Sequence, residues 1–212
     1  MSEALGIPII GIAGAIGSGK SLASSALADL GWLVIDFDEE VRQALRRPDV
    51  RKCLVSWWGE GVLDHNGAID HKNVASIVFN DRAQLTRLEK FIHPLVWCSA
   101  EDARQRARDV NAPGVVLDAP LLFESEADNE CDAVLFVHAS RETRLARLER
   151  TRGWSEGELD RRESRQLSPE EKKARSRFVL ENEGDESAFR DAVGEVAAIL
   201  MQEAGVSAEP TA

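Results

Sequence analysis

The sequence predicts an α/β fold, with a parallel sheet of five strands set between two layers of helices. Three observations predict it. Short apolar runs recur along the chain, as strands buried on both faces require. Helical patterns of apolar residues fill most of the gaps between them. A glycine-rich turn joins the first apolar run to the first helical one. The chain has 212 residues, 43% hydrophobic and 30% charged, enough for one such core with an insertion.

The elements follow in order. "PIIGIAG" (8–14) is the first strand, and "SLASSALADLG" is a helix closed by Gly31. "WLVID" (32–36), "GVVLDAP" (114–120), "CDAVLFVHA" (131–139) and the weaker "RFVLEN" (177–182) are the remaining strands. Helices are expected near 39–46, 49–57, 71–79, 82–109, 141–150, 156–166, 170–175 and 186–204. The second and third strands lie nearly eighty residues apart, too far for a simple crossover. That span reads as a helical substrate-binding insertion (38–110) over the carboxyl edge of the sheet, where open α/β folds bind ligands. The core is then 1–37, 111–140 and 176–206, and 141–175 forms a helical lid.

The turn is Gly14-Ala-Ile-Gly-Ser-Gly19-Lys20-Ser21, a full match to the phosphate-binding pattern G-x-x-x-x-G-K-[ST]. Glycines let the backbone curl so that successive N–H groups face phosphate oxygens, and the following helix presents its positive end to them. The match makes the core a three-layer P-loop fold. It sets the nucleotide site at Ala15, Ile16, Gly17, Ser18, Gly19, Lys20, Ser21 and Leu22, with the amides of 15–21 as the cradle. Lys20 can reach the outer phosphates and the Ser21 hydroxyl can ligand Mg²⁺, so ATP and Mg²⁺ are the expected cofactors.

Carboxylates stand at the strand ends. Asp38 follows the second strand, where it can cap a helix or accept a hydroxyl proton during phosphoryl transfer. Asp118 ends "VVLD", where it can serve Mg²⁺ or a turn before Pro120. Trp57, Trp58 and Trp97 lie in the insertion and read as core, with adenine or pantetheine contact as the minority reading.

Charge narrows the function. The net charge of −11 argues against nucleic acid or an anionic membrane as partner. Residues 141–177 nevertheless carry net +4, against −15 for the rest. Arg144, Arg147 and Arg150 share a helical face there, suited either to solvent and its carboxylates or to a transferring phosphoryl group. Cys53, Cys98 and Cys131 are too scattered for a disulfide framework or a zinc site and fit reduced cytoplasmic thiols. No apolar run spans a bilayer. Residues 4–16 are apolar but follow no Lys or Arg and are broken by Pro8 and glycines, which argues against a signal peptide. A GTP switch would need N-K-x-D, which the sequence lacks.

Six segments, "GIAGAIGSGKS", "LGWLVIDFDEEVRQAL", "LEKFIHPLVW", "VVLDAPLLFE", "RLARLERTRGWSEGE" and "RQLSPEEKKARSRFVLENEG", resemble in order and spacing the signatures of the dephospho-coenzyme A kinase family, over roughly residues 9–200. The resemblance implies transfer of the ATP γ-phosphate to the ribose 3′-hydroxyl of dephospho-coenzyme A, the last step of coenzyme A synthesis. It implies Asp38 as base, with Lys20 and Arg147 as the other catalytic residues, and Asn182 near the adenine. It also implies that His93, Leu121, Leu122 and Phe123 join Asp38 in the substrate site and that Glu124 holds local geometry; the metal site expected from the motif and the strand end is Ser21, with Asp118 in an outer shell. His93 is equally suited to a structural hydrogen bond, and Pro94 is expected to kink or break the long helix. The sequence departs from the family at Ala13, Ala15 and Leu22, and at Thr151, where an arginine is usual; Arg150 or Arg152 would replace it. Arg177 also departs, without an evident reason. The alternatives are another P-loop small-molecule or nucleotide kinase and a non-catalytic ATP-binding module. The protein is expected to be a cytoplasmic monomer or small homo-oligomer, with no nucleic-acid or membrane partner.

Overall fold

The computed structural model describes residues 6–96, 100–119 and 121–205. Five parallel strands, β1 (Ile9–Gly14), β2 (Leu33–Asp36), β3 (Val115–Asp118), β4 (Ala133–His138) and β5 (Phe178–Glu181), form one sheet in the order β2-β3-β1-β4-β5. All five strands fall within the expected apolar runs. β1 is buried at every residue because it sits centrally with helices on both sides.

Ile10 and Ile12 point to one face, with Val116, Leu135 and Val137. There they pack on α1 (Lys20–Asp29) and α10 (Glu186–Ala204). The alternate residues face α6 (Ala100–Asp109) and α9 (Pro169–Arg175), giving the three-layer α/β/α arrangement. Gly31, at φ +83°, closes α1 and turns the chain into β2. Gly114 is required for a different reason. A Cβ there would lie 2.4 Å from the buried Trp32 ring. Two further helices, α7 (Arg141–Arg152) and α8 (Glu156–Glu163), precede α9. Arg177, unexplained by the sequence, forms a two-bond ion pair with Glu203 of α10.

The chain divides into two compact units, Met1–Asp36 with Ser99–Ala212, and Phe37–Cys98. The second holds α2 (Phe37–Arg46), α3 (Pro48–Trp58), α4 (His71–Asn80) and α5 (Arg82–Val96). Its core is Val50, Leu54, Val62, Val74, Ile92 and Val96. Trp57 and Trp58 pack against that core, Trp57 edge-on to Phe91 at 5.1 Å between ring centroids and under the Arg87 guanidinium. Trp97 lies outside the described residues.

Three boundaries differ from expectation. The helix expected over 82–109 is two helices, α5 and α6. α5 passes through Pro94 for two more residues, so the proline is carried inside the helix. The expected insertion 38–110 closes earlier, because α6 packs on β1 and β3 and belongs with the sheet. Finally, α2 opens at Phe37, so Asp38 is a first-turn residue and not the cap preceding the helix.

Candidate active site

The first unit's site grows out of the end of β1. The chain leaves the sheet at Gly14, curls through Ala15–Gly19 and enters α1 at Lys20. Gly19 is left-handed at φ +100°, and a Cβ there would lie 2.1 Å from Nδ2 of Asn182. Only glycine fits.

The turn's carbonyls are held from outside. Lys20 Nζ donates to the carbonyls of Gly14 (3.1 Å) and Ala15 (3.3 Å). Arg144 donates to the Ile16 carbonyl (3.0 Å). Arg147 (3.2 Å) and the Asn182 amide (2.8 Å) both donate to the Ser18 carbonyl. Arg147 also donates to the Asn182 backbone and side-chain oxygens, so α7 and the end of β5 brace one point of the turn. Among the described residues no protein acceptor takes the N–H groups of Gly17, Gly19, Lys20 or Ser21. A run of unpaired amides at the N-terminus of a helix, its carbonyls already clamped, fits a polyphosphate.

Electrostatics agree. Burial pushes the Lys20 amine down to about 8, and the Lys172 charge adds to this. Asp118 opposes the shift, while Arg144 and Arg152 reinforce it. Within an acidic protein this is a concentration of cations, as a site for several phosphates needs. The Ser21 hydroxyl is exposed at the mouth of the turn. Asp118 accepts from Ser24 Oγ at 2.7 Å, which fixes one of its oxygens. A hydroxyl and a carboxylate are both oxygen donors of the hard kind that suits Mg²⁺.

Other expected residues are placed as follows. Leu122 and Phe123 are buried, Leu122 against Gly11 and Phe123 under the Arg175 guanidinium at 4.4 Å, whereas Leu121 is 43% exposed. Asp38 stands in the first turn of α2 and His93 in α5, both in the second unit. Arg150 is exposed, and Arg152 lies 5.0 Å over the Trp154 ring. His138, Glu181 and Glu183 bring potential metal ligands within 4.8 Å of one another, but Glu183 is engaged by the Ser140 N–H and by the hydroxyls of Ser140 and Thr143.

Sequence reasoning did not separate Arg144 from its neighbours, and it missed Lys172. Both are buried polar residues, Arg144 ion-paired with Glu163 and Lys172 with Glu124. The signal for Arg144 was its shared face with Arg147. Lys172 had none, because its carboxylate partner lies 48 residues earlier.

The comparisons with known proteins agree with this geometry. The dephospho-CoA kinase family model matches residues 8–187. The dephospho-CoA kinase of Geobacter sulfurreducens is 38% identical over 177 residues, 83% of this chain and 90% of that one. That of Deinococcus radiodurans is 37% identical over 193 residues, 91% of each chain. A solved Thermus thermophilus structure is similar with a TM-score of 0.77 and 34% identity, covering 92% of this chain and 98% of that one. The dephospho-CoA kinase structure from Campylobacter jejuni, at 24% identity and a TM-score of 0.68 over 92% and 97% of the two chains, supports the fold. The phosphate turn, the five-stranded sheet and the match along most of the chain lead to one conclusion: this protein belongs to the dephospho-CoA kinase family.

Proposed function

We propose that the protein transfers the γ-phosphate of ATP to the ribose 3′-hydroxyl of dephospho-CoA, with the following division of labour. The observation that carries the nucleotide half is the set of unpaired amides at Gly17, Gly19, Lys20 and Ser21 above carbonyls clamped by Arg144, Arg147 and Asn182. These amides grip the phosphates, together with the rest of the Ala15–Leu22 segment. Lys20 exchanges its carbonyl partners for phosphate oxygens, and Arg147 neutralises charge on the transferring group. Ser21 would hold Mg²⁺, with Asp118 in the outer shell. When bound, that ion offsets negative charge on the outer phosphates. Asn182 serves the adenine end while it braces the turn.

Asp38 accepts the proton of the acceptor hydroxyl. Its support is its place just past β2 and the match of "DFD" to the family pattern. His93 contributes to dephospho-CoA binding. Of the three residues after Pro120, Leu121 offers its surface to the acceptor and the buried Leu122 and Phe123 support it from below. The lid helices exclude water that would otherwise hydrolyse ATP. The protein acts in the cytoplasm as a monomer or small homo-oligomer. Its acidic charge and the free thiols of Cys53 and Cys131 support the location. No described helix is long and apolar enough to cross a membrane.

The test is ADP release measured with dephospho-CoA against a panel of nucleoside monophosphates. Turnover confined to dephospho-CoA is expected, and equal turnover of a nucleoside monophosphate would replace this reading with another small-molecule kinase. Asp38→Asn is expected to keep ATP affinity and lose roughly 10²–10⁴-fold in kcat. Full turnover in that variant removes Asp38 from the chemistry.

A further inference from the structure

One buried cation of this site makes no hydrogen bond to the carbonyls of the phosphate turn among the described residues. Lys172 of α9 is 3% exposed, far more buried than lysines usually are. Its ammonium lies 2.9 Å from Oε1 of Glu124 and 3.1 Å from the Gln166 side-chain oxygen. The same Glu124 oxygen accepts the Leu167 N–H at 2.9 Å. One carboxylate oxygen in the turn after β3 therefore holds both the α8–α9 connection and α9 itself. Its other oxygen, Oε2, is buried and has no partner among the described residues.

Stability alone does not account for such a pair. Removing two charges from water costs about as much as their attraction returns, and apolar side chains of similar volume would hold two segments together at least as well. A buried ion pair with shared hydrogen bonds does define one arrangement sharply. Its location shows which arrangement is defined. Lys172 lines a small recess with Ala15, Glu163, Gln166, Leu167 and Pro169. Ala15 opens the phosphate turn, and Glu163 is the partner of Arg144, which clamps the Ile16 carbonyl. The Glu124–Lys172 contact thus sits at one end of a short relay. It runs from the turn after β3, through the α8–α9 connection and Glu163, to the backbone that grips phosphate.

We propose that Glu124 and Lys172 form a positioning pair for phosphoryl transfer, fixing the α8–α9 part of the lid against the Ala15 end of the phosphate turn. Neither residue touches the reacting atoms in this role. They act through the turn and through Glu163–Arg144, so the pair sets kcat and leaves dephospho-CoA affinity alone. The inference rests on the kinase reading above.

Three variants test it: Glu124→Gln, Lys172→Gln and the double variant. Glutamine at 124 keeps an acceptor for the Leu167 N–H and removes only the charge. Each single variant is expected to lose tenfold or more in kcat, with KM for dephospho-CoA within twofold of the unmodified protein. The double variant is expected to be no slower than the worse single one, because both substitutions break the same contact. Any of three results overturns the proposal: kcat within twofold in a folded Glu124→Gln protein, losses that multiply in the double variant, or a KM that rises in step with the fall in kcat. If Lys172→Gln does not fold, Glu124→Gln decides alone on the same thresholds. The unmodified protein is assayed alongside. Absence of dephospho-CoA turnover there would defeat the kinase reading, a result distinct from failure of the pair.

Discussion

At the scale of single residues, the decisive feature of the site is which groups already have partners. Lys20, Arg144, Arg147 and Asn182 all spend hydrogen bonds on the phosphate turn's own carbonyls. The pattern GAIGSGKS made the turn legible, because its glycines and lysine are dictated locally. Arg147 and Asn182 were named only through the family resemblance, and their hold on the turn's carbonyls was not foreseen, because they come from α7 and from just past β5, more than a hundred residues away. Of the two arginines that flank Thr151, we propose Arg152 as the lid arginine, because its guanidinium lies over the Trp154 ring and its charge is among those that depress the Lys20 amine. Arg152→Ala should therefore lower kcat about tenfold, the scale of one exposed-to-partly-buried charge contact of about 1.4 kcal/mol. Arg150→Ala should stay within twofold in the same assay. Cys131 gives a pH prediction. Burial, reinforced by Asp128, Asp132 and Glu130, pushes its thiol up to about 12 from an ordinary 9.0. The folded-state value is raised, so the contribution is intact below pH 9.0 and declines as pH climbs toward 12. Denaturant midpoints between these limits should fall less steeply in Cys131→Ala than in the unmodified protein, and iodoacetamide at pH 8 should leave native Cys131 unlabelled.

At the scale of elements, period and capping located most of the chain. α10 was legible end to end at 186–204 because an N-capping Asp185 and a left-handed Gly205 mark its limits. The run 82–109 was misread as one helix because helical spacing of apolar residues continues across it, and spacing alone does not register a change of packing partner. α5 belongs to the core of the second unit, while α6 turns Ala103 and Ala107 to the sheet. The break expected near Pro94 falls two residues beyond it, where α5 ends at Val96. α9 shows how short elements survive. It is seven residues long, and Ser168 and Glu171 close a full capping box at its start, with Pro169 in the first turn. Ser168→Ala should cost about 1 kcal/mol of unfolding free energy by denaturant titration. A change under about 0.3 kcal/mol would show that Lys172 and Glu124 hold α9 without its cap.

At the scale of the whole molecule, fold class and strand order follow from a rule the sequence obeys throughout: apolar runs alternate with helices, so the sheet is parallel and ligands gather at its carboxyl ends. Division into two compact units was legible only as a gap between strands, since the boundary depends on which core each helix joins. Net charge of −11 could not by itself suggest an anionic ligand, because the cations that matter are few and locally gathered. Their effect is testable as a property of the entire protein. Whatever binds the folded chain and not the unfolded one raises the unfolding free energy by RT ln(1 + [L]/Kd), about 2.7 kcal/mol at a hundredfold excess over Kd. For 212 residues that corresponds to a rise in Tm of about 5–10 °C. ATP with Mg²⁺ should produce such a rise in the unmodified protein. Lys20→Ala should lose most of it, because the outer phosphates then meet no ammonium. Asp38→Asn should retain it in full, because that carboxylate is assigned to the acceptor and not to the donor. A Tm unmoved by ATP would remove the phosphate grip from the account, and a shift lost in Asp38→Asn would move Asp38 from acceptor chemistry to nucleotide binding.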